Sequence, residues 1–218
     1  CEALILIGPE TDPAFLTEVV RQVPVVSVGR RFPDTGVETV HTAEAKGVRQ
    51  AVDHLVALGH RDIVHIDGSR GAGSAERRRG YRKAMRGHGL AEAARVLPGD
   101  HTEESGAAAA RRLLDEGTMP TAVLAGNDRC AIGFLDAVSR AGVHVPGDVS
   151  LVGYDDIPIA RLSHIELTTV RQNVPRMAAL SVRTALNRLE DPGRAPQEAV
   201  LTPELIVRGT TAPPRTRD

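Results

Sequence analysis

The sequence predicts an α/β protein built on parallel sheets. Three observations carry that prediction. Short, continuously apolar runs recur along the chain and alternate with stretches of helical periodicity. The links between them are rich in Gly, Pro and Asp, and their order is consistent with right-handed strand–helix–strand crossovers. The third is the stretch 122–156, AVLAGNDRCAIGFLDAVSRAGVHVPGDVSLVGYDD, where one complete unit can be read. Residues 122–125 form an apolar strand, Gly126 breaks it, and Asn127 or Asp128 stands ready to cap a helix. Ile132, Leu135, Val138 and Ala141 recur at helical spacing, and Gly142 stops the helix. A turn at Pro146-Gly147-Asp148 leads into a second apolar run, which ends in Tyr154-Asp155-Asp156. Polar groups therefore gather at the C-terminal ends of two parallel strands, the edge where open parallel sheets bind ligands.

The other elements follow in order. Residues 1–8 (CEALILIG) read as a fully buried parallel strand. A strand apolar on both faces belongs inside a sheet, so the natural protein is expected to continue upstream. A helix over 13–22 carries Phe15, Leu16, Val19 and Val20 on its stripe, and residues 23–28 form a strand ending at Gly29-Arg30-Arg31. A turn-rich link at 32–35 leads to an extended piece at 37–40. A helix over 43–58 then has Val48, Val52, Leu55 and Val56 on one face, with Thr42 as its cap, Glu44 in its first turn and Gly59 at its end. Residues 62–68 form a strand, and a loop containing Gly68, Gly71 and Gly73 follows. Ser74 caps a helix to Gly87 with Tyr81, Ala84 and Met85 inward. Residues 95–98 form a short strand, 101–105 a loop, and 106–116 an Ala-rich helix. Beyond the central unit, 157–165 is irregular and 167–172 extended. The segment 174–189 is a long helix with Met177, Leu180, Ala185 and Leu189 inward, 199–206 a last strand, and 213–218 a tail.

Composition limits the functions on offer. A chain of 218 residues can bury one or two cores. A formal charge of −1 argues against a broad electrostatic footprint for nucleic acid or an anionic membrane. With no Trp, two Tyr and three Phe, any stacking of bases or sugars rests on few rings. Cys1 and Cys130 form neither a disulfide framework nor a metal spacing, and Cys130 reads as a small buried hydrophobe. No apolar run approaches the roughly 18 residues of a membrane span. No metal, cofactor or membrane partner is expected, and the expected compartment is the cytoplasm.

Chemistry narrows the choice further. Gly68 to Gly73 has the first spacing of a phosphate-binding loop, but Ser74 and Ala75 stand where Lys and Ser/Thr are required. A G-x-G-x-x-G reading fails at Glu76, so a plain flexible turn is favoured. No nucleophile elbow and no H-E-x-x-H occurs, and the eight His residues are scattered. Asp155-Asp156 could serve as a carboxylate pair, but no second acidic cluster lies near in sequence; catalysis is not expected. Binding fits better. Asn127 offers donor and acceptor, Asp155 two acceptor oxygens, and Arg77 a rigid fork of donors. Each has a plain alternative: Asn127 as a helix cap, Asp155 as a turn holder, Arg77 in solvent with Arg78 and Arg79.

These residues lie in stretches that resemble the effector-binding core of LacI/GalR-family transcriptional regulators. The stretches are AVDHLVALGHRDIVHIDG (51–68), AERRRGY (75–81), 120–156 ending in GYDD, LTTVRQ (167–172) and ELIVRGTT (204–211). They cover nearly the whole chain in the family's order. The resemblance implies two doubly wound parallel-sheet subdomains of the periplasmic-binding-protein-like type, joined by three crossovers, with a small ligand in the cleft. The N-subdomain would be about 1–40 plus 174–200, truncated at its front, and the C-subdomain about 41–173 plus 201–212. Family proteins begin with a helix-turn-helix and a hinge helix, which this sequence lacks.

By the same resemblance the effector contacts are Arg77, Asn127 and Asp155, with Arg30 at a strand end and Gln172 beside a crossover. His101 falls where an aromatic ring often stacks on the ligand, and Gly29 where many relatives have Asp; both are departures. The implied function is a small-molecule sensor, for a sugar or related polar effector, that is also the dimerising core of a repressor. DNA would be contacted only through the absent helix-turn-helix. The helix after Asn127-Asp128 makes Ile132 a candidate for the homodimer interface, with a place in the intramolecular core as the alternative. A sugar-binding protein of an uptake system is the second reading.

Overall fold

The computed structural model describes residues 1–215; residues 216–218 of the expected tail lie outside the described residues. In chain order the elements are β1 (Leu4–Ile7), α1 (Pro13–Val20), β2 (Val25–Val28), β3 (Glu38–Thr42), α2 (Glu44–Ala57), β4 (Ile63–Ile66) and α3 (Ser74–Gly87). Next come β5 (Arg95–Leu97), α4 (Glu103–Asp115), β6 (Ala122–Ala125), α5 (Asp128–Arg140), β7 (Ser150–Asp155) and a 3-10 turn at Pro158–Arg161. The chain closes with β8 (Thr168–Arg171), α6 (Val174–Glu190), β9 (Glu198–Leu201) and β10 (Glu204–Ile206). It divides into two compact units, residues 1–43 with 173–202, and residues 44–172 with 203 onward.

The first unit is a parallel sheet in the order β1-β2-β3-β9. Val26, Val40 and Leu201 pack with Met177 and Ala185 of α6. On the other core cluster, Leu16 of α1 meets Val25, Phe32 and Val37. Asp12 caps α1, accepting from the Ala14 N–H at 2.9 Å. Three expectations are corrected here. Among the described residues β1 is an edge strand paired only with β2, and Ile5 and Ile7 are 41% and 84% exposed, so the strand is not buried on both faces. Phe15 is exposed rather than part of the stripe, because Leu16, Val19 and Val20 already fill the face that meets the sheet. Leu189 is exposed too; α6 buries Met177, Ser181 and Ala185, a stripe that ends a turn earlier.

The second unit is a six-stranded sheet in the order β10-β8-β7-β6-β4-β5, parallel except for β10. Side chains alternate between its faces as the pleat demands. Val64, Ile66, Val123, Ala125 and Leu151 pack against α4 and α5. Ile63, Ala122, Leu124, Val152, Tyr154 and Val170 pack against α2 and α3. The inward face of α5 is Cys130, Ala131, Phe134 and Val138, with Leu135 half-buried against the same core; of the expected set Val138 and Leu135 face in, and Ile132 and Ala141 do not. The reason is helix-on-helix contact. A Cβ on Gly106 would lie 1.9 Å from the Cys130 carbonyl oxygen, and one on Gly133 would lie 1.9 Å from that of Glu103. Two glycines let α4 and α5 touch backbone to backbone, and this rotates the buried face of α5.

The expected last strand at 199–206 is two. β9 pairs with β3, β10 pairs antiparallel with β8, and Thr202-Pro203 divides them where the chain passes from one unit to the other. The segment after β10 is pinned rather than loose. Thr210 donates to the Leu151 carbonyl at 2.7 Å, His60 Nε2 lies 2.9 Å from the Ala212 carbonyl, and Arg215 pairs with Asp148 at 2.6 Å.

Candidate functional site

The sheet of the second unit reverses its winding between β4 and β6: β5 lies on one side of β4, while β6, β7 and β8 run off the other. Backbone connections leave in opposite directions there, and in open parallel sheets such a point makes a crevice at the C-terminal ends of the two strands. The residues that follow β4 and β6 line it.

Gly68, Gly71 and Gly126 surround the ring of His101, which follows β5. A Cβ on Gly68 would fall 1.7 Å from its Nε2, one on Gly71 2.6 Å from its Nδ1, and one on Gly126 3.1 Å from its Cδ2. The glycine loop is thus a seat for an imidazole, which corrects the plain-turn reading. The 101–105 segment is likewise no loop throughout, since Thr102 caps α4 through the Ser105 N–H at 3.2 Å. His101 has a left-handed backbone (φ 70°), and the Asn127 amide holds its carbonyl, Nδ2 donating at 3.1 Å. The other end of that amide caps α5, accepting from the Cys130 N–H at 2.9 Å. Ser74 is not a cap: Gly73, at φ 78°, precedes the helix, and the Ser74 hydroxyl lies 3.3 Å from His101 Nε2. Burial, with the Arg77 charge nearby, lowers the His101 pKa to about 4. The ring is neutral at pH 7 and can both donate and accept.

Arg77, one turn into α3, is buried rather than solvated. Its Nε donates to Glu44 Oε2 at 2.8 Å and its Nη1 to the Gly126 carbonyl at 2.6 Å. Nη2 reaches Glu44 Oε1 at 3.5 Å and stands 3.7 Å from Asp155 Oδ1. The guanidinium lies over Tyr154, its Cζ 3.8 Å from the ring centroid. Burial works against its charge, but Glu44 and Asp155 outweigh that and hold its pKa above the ordinary arginine value. Most of the expected fork of donors is therefore spent inside the protein. Thr42, expected to cap α2, is the last residue of β3, and Glu44 spends its carboxylate on Arg77.

Asp155 ends β7 at φ 116°, a left-handed conformation that costs a non-glycine residue of order 1–3 kcal/mol. Gln172 Nε2 donates to its Oδ1 at 2.7 Å, and 25% of its side chain stays exposed. Burial pushes its carboxyl above the ordinary range, against the pull of Arg77 and Gln172. Asp156 turns away and does not form a pair with it. Its carboxylate is fully buried and receives Arg171 at 2.6 Å, Arg208 at 2.6 Å and Arg161 at 3.1 Å. Burial raises the Asp156 pKa, but those three arginines bring it below the ordinary value. The two adjacent carboxylates thus serve different ends, one facing the crevice and one locking the loop behind it.

The second unit therefore brings Arg77, Asp155, Gln172, His101 and Asn127 together at one strand edge. Arg30 belongs to the first unit, at the end of β2, with its Nη2 3.7 Å from Glu10. Ile132 is half-buried on α5 and lies outside the core clusters, so its placement in the intramolecular core is not what the structure shows. Three participants escaped the sequence reading. Glu44 sits 33 residues before Arg77, a separation without local signal. Asp67 follows β4 and pairs with Arg78. Asp128 is buried, accepts from the Thr169 hydroxyl and from the Ile157 N–H at 2.8 Å, and has its pKa raised by burial to about 7. The adjacency of Asn127 and Asp128 was the available signal for the last. Among the described residues no group of three or more His, Cys, Asp or Glu could hold a metal ion, and no helix is long and apolar enough to cross a membrane.

The periplasmic binding protein-like domain family matches residues 52–211. The transcriptional regulator DegA of Bacillus subtilis (strain 168) is 34% identical over 88% of this chain and 57% of its own length. Across the curated relatives compared, the chain spans 48% to 63% of their length. Among solved structures, a LacI transcriptional regulator from a Rhodococcus species superposes with a TM-score of 0.94 at 44% identity, over 98% of this chain and 79% of that one. A transcriptional regulator CelR–cellobiose complex superposes with a TM-score of 0.85 at 32% identity, over 96% of this chain and 65% of that one.

Proposed function

The chain belongs to the LacI family of transcriptional regulators, and we propose that it is the core through which such a regulator senses a small polar effector, with a sugar as the leading class. The observation that carries this is the crevice at the winding reversal. There Asp155 keeps part of its carboxylate exposed, braced by Gln172 and Arg77, and the same strand edge carries a neutral imidazole seated in three glycines. A hydroxyl-rich ligand needs such fixed acceptors and an adaptable donor on rigid strand ends. The cellobiose named with the CelR structure supports a carbohydrate.

Within this reading Asp155 and His101 meet the ligand directly, Arg77 and Gln172 orient Asp155, and Asn127 sets the His101 backbone. Effector binding would shift the populations of two arrangements of the core. DNA would be bound by a helix-turn-helix outside this chain, in a cytoplasmic homodimer that buries Ile132. No catalytic role is assigned.

Calorimetry of the protein against neutral sugars and nucleobases tests the site. Asp155→Asn should weaken the bound ligand by about 1.5–3 kcal/mol, the worth of a hydrogen bond to a charged group. Unchanged affinity in Asp155→Asn would remove the crevice from consideration. Sedimentation tests the dimer: the protein should sediment as a dimer at micromolar concentration and Ile132→Glu as a monomer.

A further inference from the structure

α3 carries six cations and one acid in fourteen residues, SAERRRGYRKAMRG. The inward two are compensated: Arg77 by Glu44 and Asp155, Arg78 by Asp67. The outward four are not treated alike. Arg79, Arg82, Lys83 and Arg86 are all exposed, and among the described residues only Arg79 of the four has an ion-pair partner, Glu76 at 3.0 Å. Among the described residues no carboxylate lies within ion-pair distance of Arg82, Lys83 or Arg86.

The spacing of the four is that of a single face. At 3.6 residues per turn they fall within a stripe about 100° wide and about 10 Å long. Every neighbouring pair in it is like-charged: 79 with 83 and 82 with 86 at four residues, 79 with 82 and 83 with 86 at three. Such pairs work against the helix that carries them. A solvated surface helix relieves this by interleaving acids, as α5 does with Asp136 and Arg140. α3 does not.

We propose that the outward face of α3 is a docking surface for a short acidic segment of a partner protein. The overall charge decides between the polyanions that a cationic stripe could meet. The whole chain carries −1, so these four cations are a local cluster and not part of a broadly basic surface. A nucleic acid duplex laid along the stripe would run on over surface with no matching excess of cations, past the roughly 8 Å within which the four cations act at physiological salt. An acidic peptide of two or three helical turns would end where the cations end. The stripe also offers no exposed aromatic ring for base stacking, since Tyr81 is fully buried. Because α3 carries Arg77 on its opposite face, an occupant here and a ligand in the crevice would act on the same rigid helix.

Fluorescence anisotropy with a labelled deca-glutamate peptide tests the surface, at low and at physiological salt. The protein should bind the peptide and lose affinity with salt. The exposed charge reversal Arg82→Glu/Arg86→Glu should weaken binding at least about tenfold, and Arg82→Lys/Arg86→Lys should stay within about threefold. Arg140→Glu on α5 is the control and should leave binding unchanged. No peptide binding, equal binding by the reversed variant, or equal loss in the control would overturn the proposal. So would tighter, α3-dependent binding of a 20-base-pair duplex, which would make the stripe a nucleic-acid contact. None of these readouts depends on an effector, so failure here leaves the crevice reading standing.

Discussion

The Glu44–Arg77 pair makes the most demanding prediction, because the structure gives Arg77 an internal load as well as a place beside the ligand. Both side chains are 5% exposed. Arg77→Met would leave the Glu44 carboxylate buried without its 2.8 Å partner and would strip the Gly126 carbonyl of its 2.6 Å donor. Breaking one side of a buried ion pair costs about 3–5 kcal/mol. Glu44→Gln should cost less, since Asp155 remains 3.7 Å from the guanidinium. The double variant should be markedly better than the sum of the two, with a coupling of about 2 kcal/mol or more, because neither buried charge is then left alone. Urea unfolding followed by tyrosine fluorescence is the natural assay. The chain has two tyrosines, Tyr81 and Tyr154, and both lie in the core of the second unit. The signal therefore reports that unit alone. If Arg77→Met costs under about 1 kcal/mol and adds simply to Glu44→Gln, the internal load is not there. Arg77 would then be free to act mainly on the ligand. An affinity lost in Arg77 variants is in any case ambiguous, and Asp155→Asn is the cleaner test of the crevice.

Three further predictions follow from burial and close approach. His65 is buried, Nδ1 within 2.9 Å of the Leu124 carbonyl, and burial lowers its pKa from 6.5 to about 4. A depressed histidine contributes stability that is present above pH 6.5 and lost as pH falls towards 4, about 3 kcal/mol in all; pH-dependent urea midpoints should show a shallower acid slope in His65→Gln. Asp128 runs the other way. Its raised pKa, about 7, favours the folded state below pH 4 and loses that contribution as pH rises through 7. Asp128→Asn should therefore be close to neutral at acid pH and gain on the wild type above pH 8. In the helices, Gly133→Ala should cost at least about 1–3 kcal/mol of thermal stability, its Cβ driven to 1.9 Å from the Glu103 carbonyl. Gly87→Ala, at the open end of α3 with nothing within 4 Å, should be neutral or gain up to about 1 kcal/mol. Equal losses at the two glycines would contradict the α4–α5 contact.

Much of the architecture was legible because it is written in local patterns. Apolar runs of four to six residues became β4, β6 and β7, and helical spacing placed α2, α3 and α5 within a few residues. Asn127 was readable as a cap, since an Asx residue before an apolar periodic stretch satisfies the first free N–H groups of a helix. Faces were less legible. Phe15 and Leu189 fit the periodicity of their helices and still lie in solvent, because a stripe says which residues share a face but not how wide the contact is. The strand over 199–206 split for a similar reason, as its two halves pair with different sheets.

The site divides in the same way. Sequence alone determined that polar groups would stand at the C-terminal ends of parallel strands, and family motifs singled out Arg77, Asn127, Asp155 and Gln172. Tertiary structure alone decided what those groups are free to do. Glu44 approaches Arg77 from a different helix, three arginines take Asp156 out of the crevice, and three glycines from two loops make room for one imidazole. Periodicity and capping act within a turn or two of chain and survive in the sequence. A buried charge is satisfied by whatever lies nearest in space, and only the packed sheet and its helices bring those partners within 4 Å.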